Sequence, residues 1–228
     1  MIAPFQFGKV KGLLLILVFS VSGVESQVDS QSVNTRRVGT IYRYYFENER
    51  FTTPYQEVLI DGDGRGSYRF KKKDQDELTI TFQVSPRILV DISSNLDRLS
   101  FLGSEENYQH RKDFSHLGTI TISYQAGERR REAKFNYTDN EMINNLVRIF
   151  RGVTIQENRI FEIDLVRSTD PISMPAQLRL LEGELKSRNI ADTSRFNGIL
   201  KDLIGDESVP LIARNHADRL LRQIENTK

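Results

Sequence analysis

Apolar and polar side chains alternate most regularly over residues 78–84 of the chain. Every second position there is apolar, and threonine or glutamine occupies the positions between. Because successive side chains of a β-strand point to opposite faces, this period of two predicts a strand with one apolar face. Shorter alternating or aromatic stretches predict five more strands, at residues 41–46, 55–60, 67–71, 120–124 and 133–137.

The period changes to helical spacing at Ser85-Pro86. Serine is a suitable helix cap, and proline is tolerated at the first helical position. The apolar residues that follow recur three or four positions apart, at Ile88, Leu89, Ile92, Leu96 and Leu99. We therefore expect one helix between the fourth and fifth strands, ending near Gly103.

Helical spacing predominates after Thr138. Thr138 and Glu141 fit a capping box, which predicts a helix that reaches Arg167 with an interruption near Gly152. Pro171 and Pro175 break the pattern. Three shorter helices are predicted at residues 176–188, 193–204 and 209–225, with Asp192 and Ser208 as caps of the last two.

Strands followed by helices, without strict alternation, predict an α+β fold. We expect a mostly antiparallel β-sheet of about six strands, with one inserted helix and one covered face, in residues 39–138. A helical C-terminal region follows at residues 139–228. Residues 27–38 are polar and aperiodic, as expected of a flexible leader.

The amino terminus has the pattern of a secretory signal peptide over residues 1–26. Lys9 and Lys11 precede an apolar run of about 12 residues, and small residues follow it at the spacing that signal peptidase accepts. The run is shorter than the roughly 20 residues of a spanning helix, so we expect no membrane span after cleavage. An uncleaved signal acting as an anchor is the alternative.

The composition of the chain bears on its cellular location and on the classes of partner that it could bind. The chain has no cysteine, which excludes disulfides and thiol chemistry. A domain of about 200 residues can bury enough core without disulfides, so a periplasmic or secreted bacterial protein is expected. Cleavage after Ser26 leaves 30 basic and 30 acidic side chains. This balance gives no reason to expect nucleic acid or an anionic membrane as a partner.

Four phrases of the sequence, GRGSYRF, SHLGTITISYQ, KFNYTDN and LIARNHADRLL, carry a resemblance over most of the chain. On these phrases the chain resembles a group of exported bacterial proteins that have no assigned function. The resemblance implies the extracytoplasmic address and the domain plan. It implies no catalytic residues.

The segment DGDGRG at residues 61–66 contains the candidate metal ligands Asp61 and Asp63. A calcium site needs five or more oxygen ligands and usually three or more carboxylates, and Arg65 places a cation inside the segment. Glycines with positive φ in a turn between strands explain the segment better. We expect the turn and no cofactor.

The best enzyme-like cluster is a loop that contains His110, Asp113 and His116. A histidine beside a carboxylate suits general acid and base catalysis near neutral pH, provided that both meet in a pocket. Neither a GxSxG nor an HExxH motif accompanies the cluster. Packing or hydrogen bonding at the start of the fifth strand is the expected role.

Three tyrosines in the first strand, Tyr42, Tyr44 and Tyr45, are the candidate binding residues. Core packing is the expected role, and a stacking platform for sugar or peptide is the alternative.

No activity follows from any motif. The expectation is a non-catalytic binding or protein-interaction module of the bacterial envelope that contacts another envelope protein or an extended ligand. The alternatives are a secreted hydrolase that uses residues 108–116 and an inhibitor of a secreted enzyme that presents residues 104–116.

Overall fold

A computed structural model describes residues 39–226, so the predicted signal peptide and leader lie outside the described residues. The strands within this range are β1 (Thr40–Glu47), β2 (Tyr55–Asp61), β3 (Arg65–Lys71), β4 (Glu77–Gln83), β5 (Thr119–Ala126) and β6 (Arg129–Phe135). The α-helices are α1 (Pro86–Arg98), α2 (Glu141–Thr169), α3 (Met174–Lys186), α4 (Asn197–Gly205) and α5 (Leu211–Glu225).

The six strands form one sheet in the order β4-β3-β2-β1-β5-β6, and every neighbouring pair is antiparallel. Strands β1 to β4 follow one another across the sheet. The segment that contains α1 then returns the chain to the other side of β1, where β5 and β6 pair. The predicted α+β fold, with its inserted helix and helical C-terminus, is confirmed.

One face of the sheet is apolar and is covered by α1 and the first half of α2. Its first hydrophobic cluster includes Tyr44 and Val58 from the sheet, Ile92 from α1 and Phe150 from α2. The rings of Tyr44 and Phe150 stack with their centroids 5.5 Å apart. Because every second side chain of a strand points to this face, the period of two seen in the sequence is the period of burial.

The opposite face of the sheet is polar. Glu57 is nonetheless only 6% exposed there, because it lies between the guanidinium groups of Arg43 and Arg69. Burial raises the pKa of Glu57, but the hydrogen bonds from the two arginines outweigh burial and lower this pKa overall. The two arginines thus supply hydrogen bonds and positive charge to a carboxylate that is nearly buried on the polar face of the sheet.

A second hydrophobic cluster joins the last part of α2 to α3, α4 and α5. It includes Ile163, Met174, Leu200 and Leu220, none of which has measurable exposure. Helix α2 is 29 residues long and contributes to both clusters. The division of the chain at residue 138 stays a prediction.

The capping predictions for α2 and α5 are wrong. Asn140 caps α2, since its side chain accepts hydrogen bonds from the backbone N–H groups of Met142 and Ile143. Thr138 instead accepts from the N–H of Asn140. Helix α5 begins after Pro210, and the hydroxyl of Ser208 donates to Asp206.

The predicted interruption near Gly152 is also wrong. Helix α2 continues through Gly152, which is buried against Ala191 in the segment before α4. The glycine permits close packing here. Asp192 is a cap as predicted, although the helix that it caps is the short 3₁₀ turn Thr193–Phe196, which precedes α4.

Among residues 39–226, no helix combines the length and the apolar character needed to cross a membrane.

Candidate functional site

A cleft of about 590 Å³ opens between α2 and the end of the sheet where β1 finishes. The ends of β1 and β6, the start of β5 and two turns of α2 form its apolar walls. We call this space the α2 cleft, and its apolar wall residues are Tyr44, Phe46, Ile120, Phe135, Val147 and Ile155. Clefts of this size with mostly apolar walls are typical of small-molecule sites.

The rim of the α2 cleft carries large apolar side chains that are exposed to solvent. Phe51 from the β1–β2 loop is 47% exposed, and Leu117 and Tyr137 from the loops flanking β5 and β6 are each 41% exposed. The ring of Phe51 packs 5.6 Å from that of Phe46 on the wall. Exposed apolar side chains gathered around an apolar cleft mark a contact surface.

Arg151 is the single charged residue among the described residues that line the α2 cleft. Its Nε donates a hydrogen bond of 3.4 Å to the hydroxyl of Tyr44, and its guanidinium carbon lies 5.9 Å from the ring centroid of Phe46. The side chain is exposed and forms no ion pair within residues 39–226. A cation held by two wall residues therefore faces the cleft without a counter-ion.

Burial raises the pKa of the Tyr44 hydroxyl, and the neighbouring Arg151 only partly offsets this effect. Tyr44 is thus a neutral hydrogen-bonding group at physiological pH. Its oxygen accepts the 3.4 Å hydrogen bond from Nε of Arg151.

Most other polar groups of the α2 cleft already have partners. Asn136 binds Gln109 and Asp113, Asn144 donates to the carbonyl of Thr138, and the hydroxyl of Thr154 donates to the carbonyl of Arg151. The side chain of Gln56 is the exception, since its amide makes no hydrogen bond within the described part of the chain.

The three candidate tyrosines of β1 have separate positions. Tyr42 is buried and stacks on Tyr124 at 5.2 Å, and Tyr44 lines the α2 cleft. The expectation of core packing is wrong for Tyr45, because a residue next to Tyr44 in a strand points to the opposite face. Tyr45 lies on the polar face, where its hydroxyl donates to Glu47 and Arg43 lies over its ring. Because β1 is central in the sheet, the three rings form no shared platform at an edge.

The structure does not join the candidate catalytic residues to one another. His110 pairs with Asp139 at 3.2 Å, and its Nδ1 accepts from the backbone N–H of Lys112. Asp113 accepts from Asn136 and from the backbone N–H of Ser115. His116 is exposed, and within residues 39–226 its ring makes no hydrogen bond with Asp113.

Asp61 is the last residue of β2 and Asp63 lies in the turn that follows it, and both carboxylates bind Arg65 at 3.1 Å. Asp61 also accepts from the backbone N–H groups of Asp63 and Arg65, and Gly64 has a φ of 85°. The turn predicted from the glycines is therefore present. No group of three or more potential metal ligands occurs among the described residues.

Sequence reasoning missed Arg151, Gln56 and Leu117, which belong to the α2 cleft. A signal was present for Arg151, because it lies four positions after Val147 and four before Ile155. Residues four apart share one face of a helix, so Arg151 interrupts an apolar stripe. Gln56 and Leu117 carry no such signal.

The sequence matches no known protein-family model and no curated protein. The resemblance to exported bacterial proteins accordingly stays a prediction.

Proposed function

We propose that the protein is a non-catalytic binding protein of the bacterial envelope, periplasmic or secreted, and that the α2 cleft is its binding site. The observation that supports the site is the apolar cleft with the exposed rim residues Phe51, Leu117 and Tyr137. The extracytoplasmic location rests on the predicted signal peptide at residues 1–26.

When a ligand binds, the exposed apolar rim residues are removed from contact with water, and this stabilises the complex. The hydrolase alternative has less support, because the hydrogen bonds of His110 and Asp113 lead to other residues than His116. The inhibitor alternative would present residues 104–116, a segment in which Tyr108 is buried against Phe101 and Gln109 hydrogen-bonds to Asn136.

The proposal is tested with Nile red, a neutral apolar dye whose fluorescence rises on transfer from water. We expect saturable binding to the protein, and about tenfold weaker binding to the double variant Phe51→Ser and Leu117→Ser, since the rim then buries less apolar area. The matched control is the double variant Ile172→Ser and Ile212→Ser. These isoleucines are 80% and 71% exposed and do not line the cleft.

The control variant should bind the dye as the unmodified protein does. Equal loss in both double variants, or no saturable binding by the unmodified protein, would contradict the proposal. Far-UV circular dichroism of both variants establishes that each is folded.

A further inference from the structure

The described residues that line the α2 cleft carry a net positive charge. Arg151 contributes one positive charge, and neither aspartate nor glutamate is among the described residues that line the cleft. A guanidinium group presents parallel N–H donors that match the two oxygens of a carboxylate. The electrostatics of the cleft therefore favour a ligand with a negative group and disfavour a cationic one.

The geometry leaves the donor groups of Arg151 available. Within residues 39–226, only its Nε forms a hydrogen bond, the one of 3.4 Å to the hydroxyl of Tyr44. That bond and the contact with Phe46 orient the guanidinium at the cleft wall, so less conformational entropy is lost when an anion binds. Gln56 of β2 lines the same cleft, and its side-chain amide has no hydrogen-bond partner among the described residues.

The remainder of the cleft suits a chain without polar groups. The side chains of Asn136, Asn144 and Thr154 already hydrogen-bond within the protein, and so does the hydroxyl of Thr138. Apart from Arg151, Gln56 and the hydroxyl groups of Tyr44 and Tyr137, the other described lining residues are apolar. A peptide carries an amide at every residue, and each buried amide without a partner has a free-energy cost. An alkyl chain has no such cost.

We infer that the ligand is an amphipathic carboxylate of the fatty-acid kind, whose alkyl chain occupies the α2 cleft and whose carboxylate binds Arg151. This inference rests on the proposed function, because it names the ligand class of the same site. It adds a polar specificity that an apolar binding site alone would not have.

The test compares decanoate with decanol, which have equal chain length and differ in the head group. Calorimetric titration of the unmodified protein should show decanoate binding about tenfold more tightly, as expected for a charge-assisted hydrogen bond. In Arg151→Gln this preference should disappear, because the affinity for decanoate falls to that for decanol. The control is Arg148→Gln, one turn earlier on α2 and outside the cleft, which should keep the preference.

The outcomes separate the inference from the proposed function. If decanoate and decanol bind equally to the unmodified protein, or if Arg151→Gln retains the preference or weakens both equally, the assignment of a carboxylate to Arg151 is overturned while the apolar site stands. If neither compound binds and Nile red does not bind, the proposed function fails and the inference fails with it.

A third ligand distinguishes an alkyl chain from a peptide. A hydrophobic pentapeptide with a free carboxyl terminus should bind more weakly than decanoate, because its amides find few partners in the cleft. Tighter binding of this peptide, lost when its terminus is amidated, would show that the carboxylate belongs to a polypeptide and would overturn the fatty-acid assignment.

Discussion

At the scale of single residues, Gly152 shows how one position in α2 serves the contact between helix and loop. A Cβ atom added there would lie 2.9 Å from the backbone nitrogen of Ala191 and 3.1 Å from its Cβ. Neither atom belongs to a flexible side chain that could move aside. The glycine thus sets how closely the segment before α4 approaches α2.

We expect Gly152→Ala to destabilise the protein by about 1 kcal/mol or more, although alanine favours a helix, because the overlap with Ala191 outweighs the gain in propensity. The control is Gly183→Ala in α3, where nothing lies within 4 Å of the added atom. That substitution should stabilise the protein by up to about 1 kcal/mol. Urea unfolding measures both, and a stabilised Gly152→Ala would show that the contact is loose.

Residue identity alone predicts the turn at residues 61–66, because it follows from a local rule of φ. The same level of reasoning expected core packing for all three tyrosines of β1, which is right for Tyr42 and Tyr44 and wrong for Tyr45. The cap of α2 could not be chosen in the same way. Thr138, Asp139 and Asn140 are consecutive cap-forming residues, and which of them caps the helix depends on where β6 ends and how the chain enters α2.

At the scale of secondary-structure elements, Asp206 links the C-terminal end of α4 to α2. It accepts hydrogen bonds from the hydroxyl and the N–H of Ser208 and from Nε of Arg167, the last at 2.7 Å. The hydrogen bond from the Ser208 hydroxyl, followed by that from Arg167, lowers the pKa of Asp206 to about 2. The ordinary value in an unfolded chain is near 3.9.

A carboxylate whose pKa is lower in the folded state stabilises the fold above the unfolded pKa, and this contribution is lost as the pH falls through the folded pKa. The unfolding free energy of the unmodified protein should therefore exceed that of Asp206→Asn at pH 5, and the difference should shrink between about pH 4 and pH 2. Ser208→Ala keeps the backbone donor. Its unfolding free energy at pH 5 should therefore lie between those of the unmodified protein and Asp206→Asn. A difference that stays constant over this range would contradict the lowered pKa.

The elements themselves were largely predictable, since apolar period distinguishes strands from helices without knowledge of the fold. The continuity of α2 was not, because a glycine inside a helical pattern reads as an interruption until its neighbour Ala191 is known. The α2 cleft was still less predictable. Phe51, Leu117 and Arg151 come from two loops and a helix, and only tertiary packing brings them to one space.

At the scale of the whole molecule, α2 couples the two hydrophobic clusters. Gln156 and Glu157, each 1% exposed, lie near its middle. Gln156 accepts from the backbone N–H of Asp192, and Glu157 pairs with Arg195 at 3.0 Å. These contacts fix the segment before α4 to the helix that also covers the sheet.

The distribution of aromatic residues allows the two clusters to be observed separately. All eight tyrosines lie within residues 42–137, and the chain has no tryptophan. Tyrosine fluorescence therefore reports on the sheet region. Four of the five α-helices described lie after residue 140, so circular dichroism at 222 nm reports mainly on the C-terminal region.

We expect the two signals to follow one cooperative unfolding transition, because breaking the second cluster removes the support of the last part of α2 and loosens its first part over the sheet. The test variant is Leu200→Ala, which removes a fully buried side chain of the second cluster and should cost about 2–5 kcal/mol. Its urea midpoint should fall equally by fluorescence and by circular dichroism. If the fluorescence midpoint stays in place while the dichroism midpoint falls, the sheet and the first part of α2 fold independently of the second cluster, and the division of the chain lies within α2 rather than at residue 138.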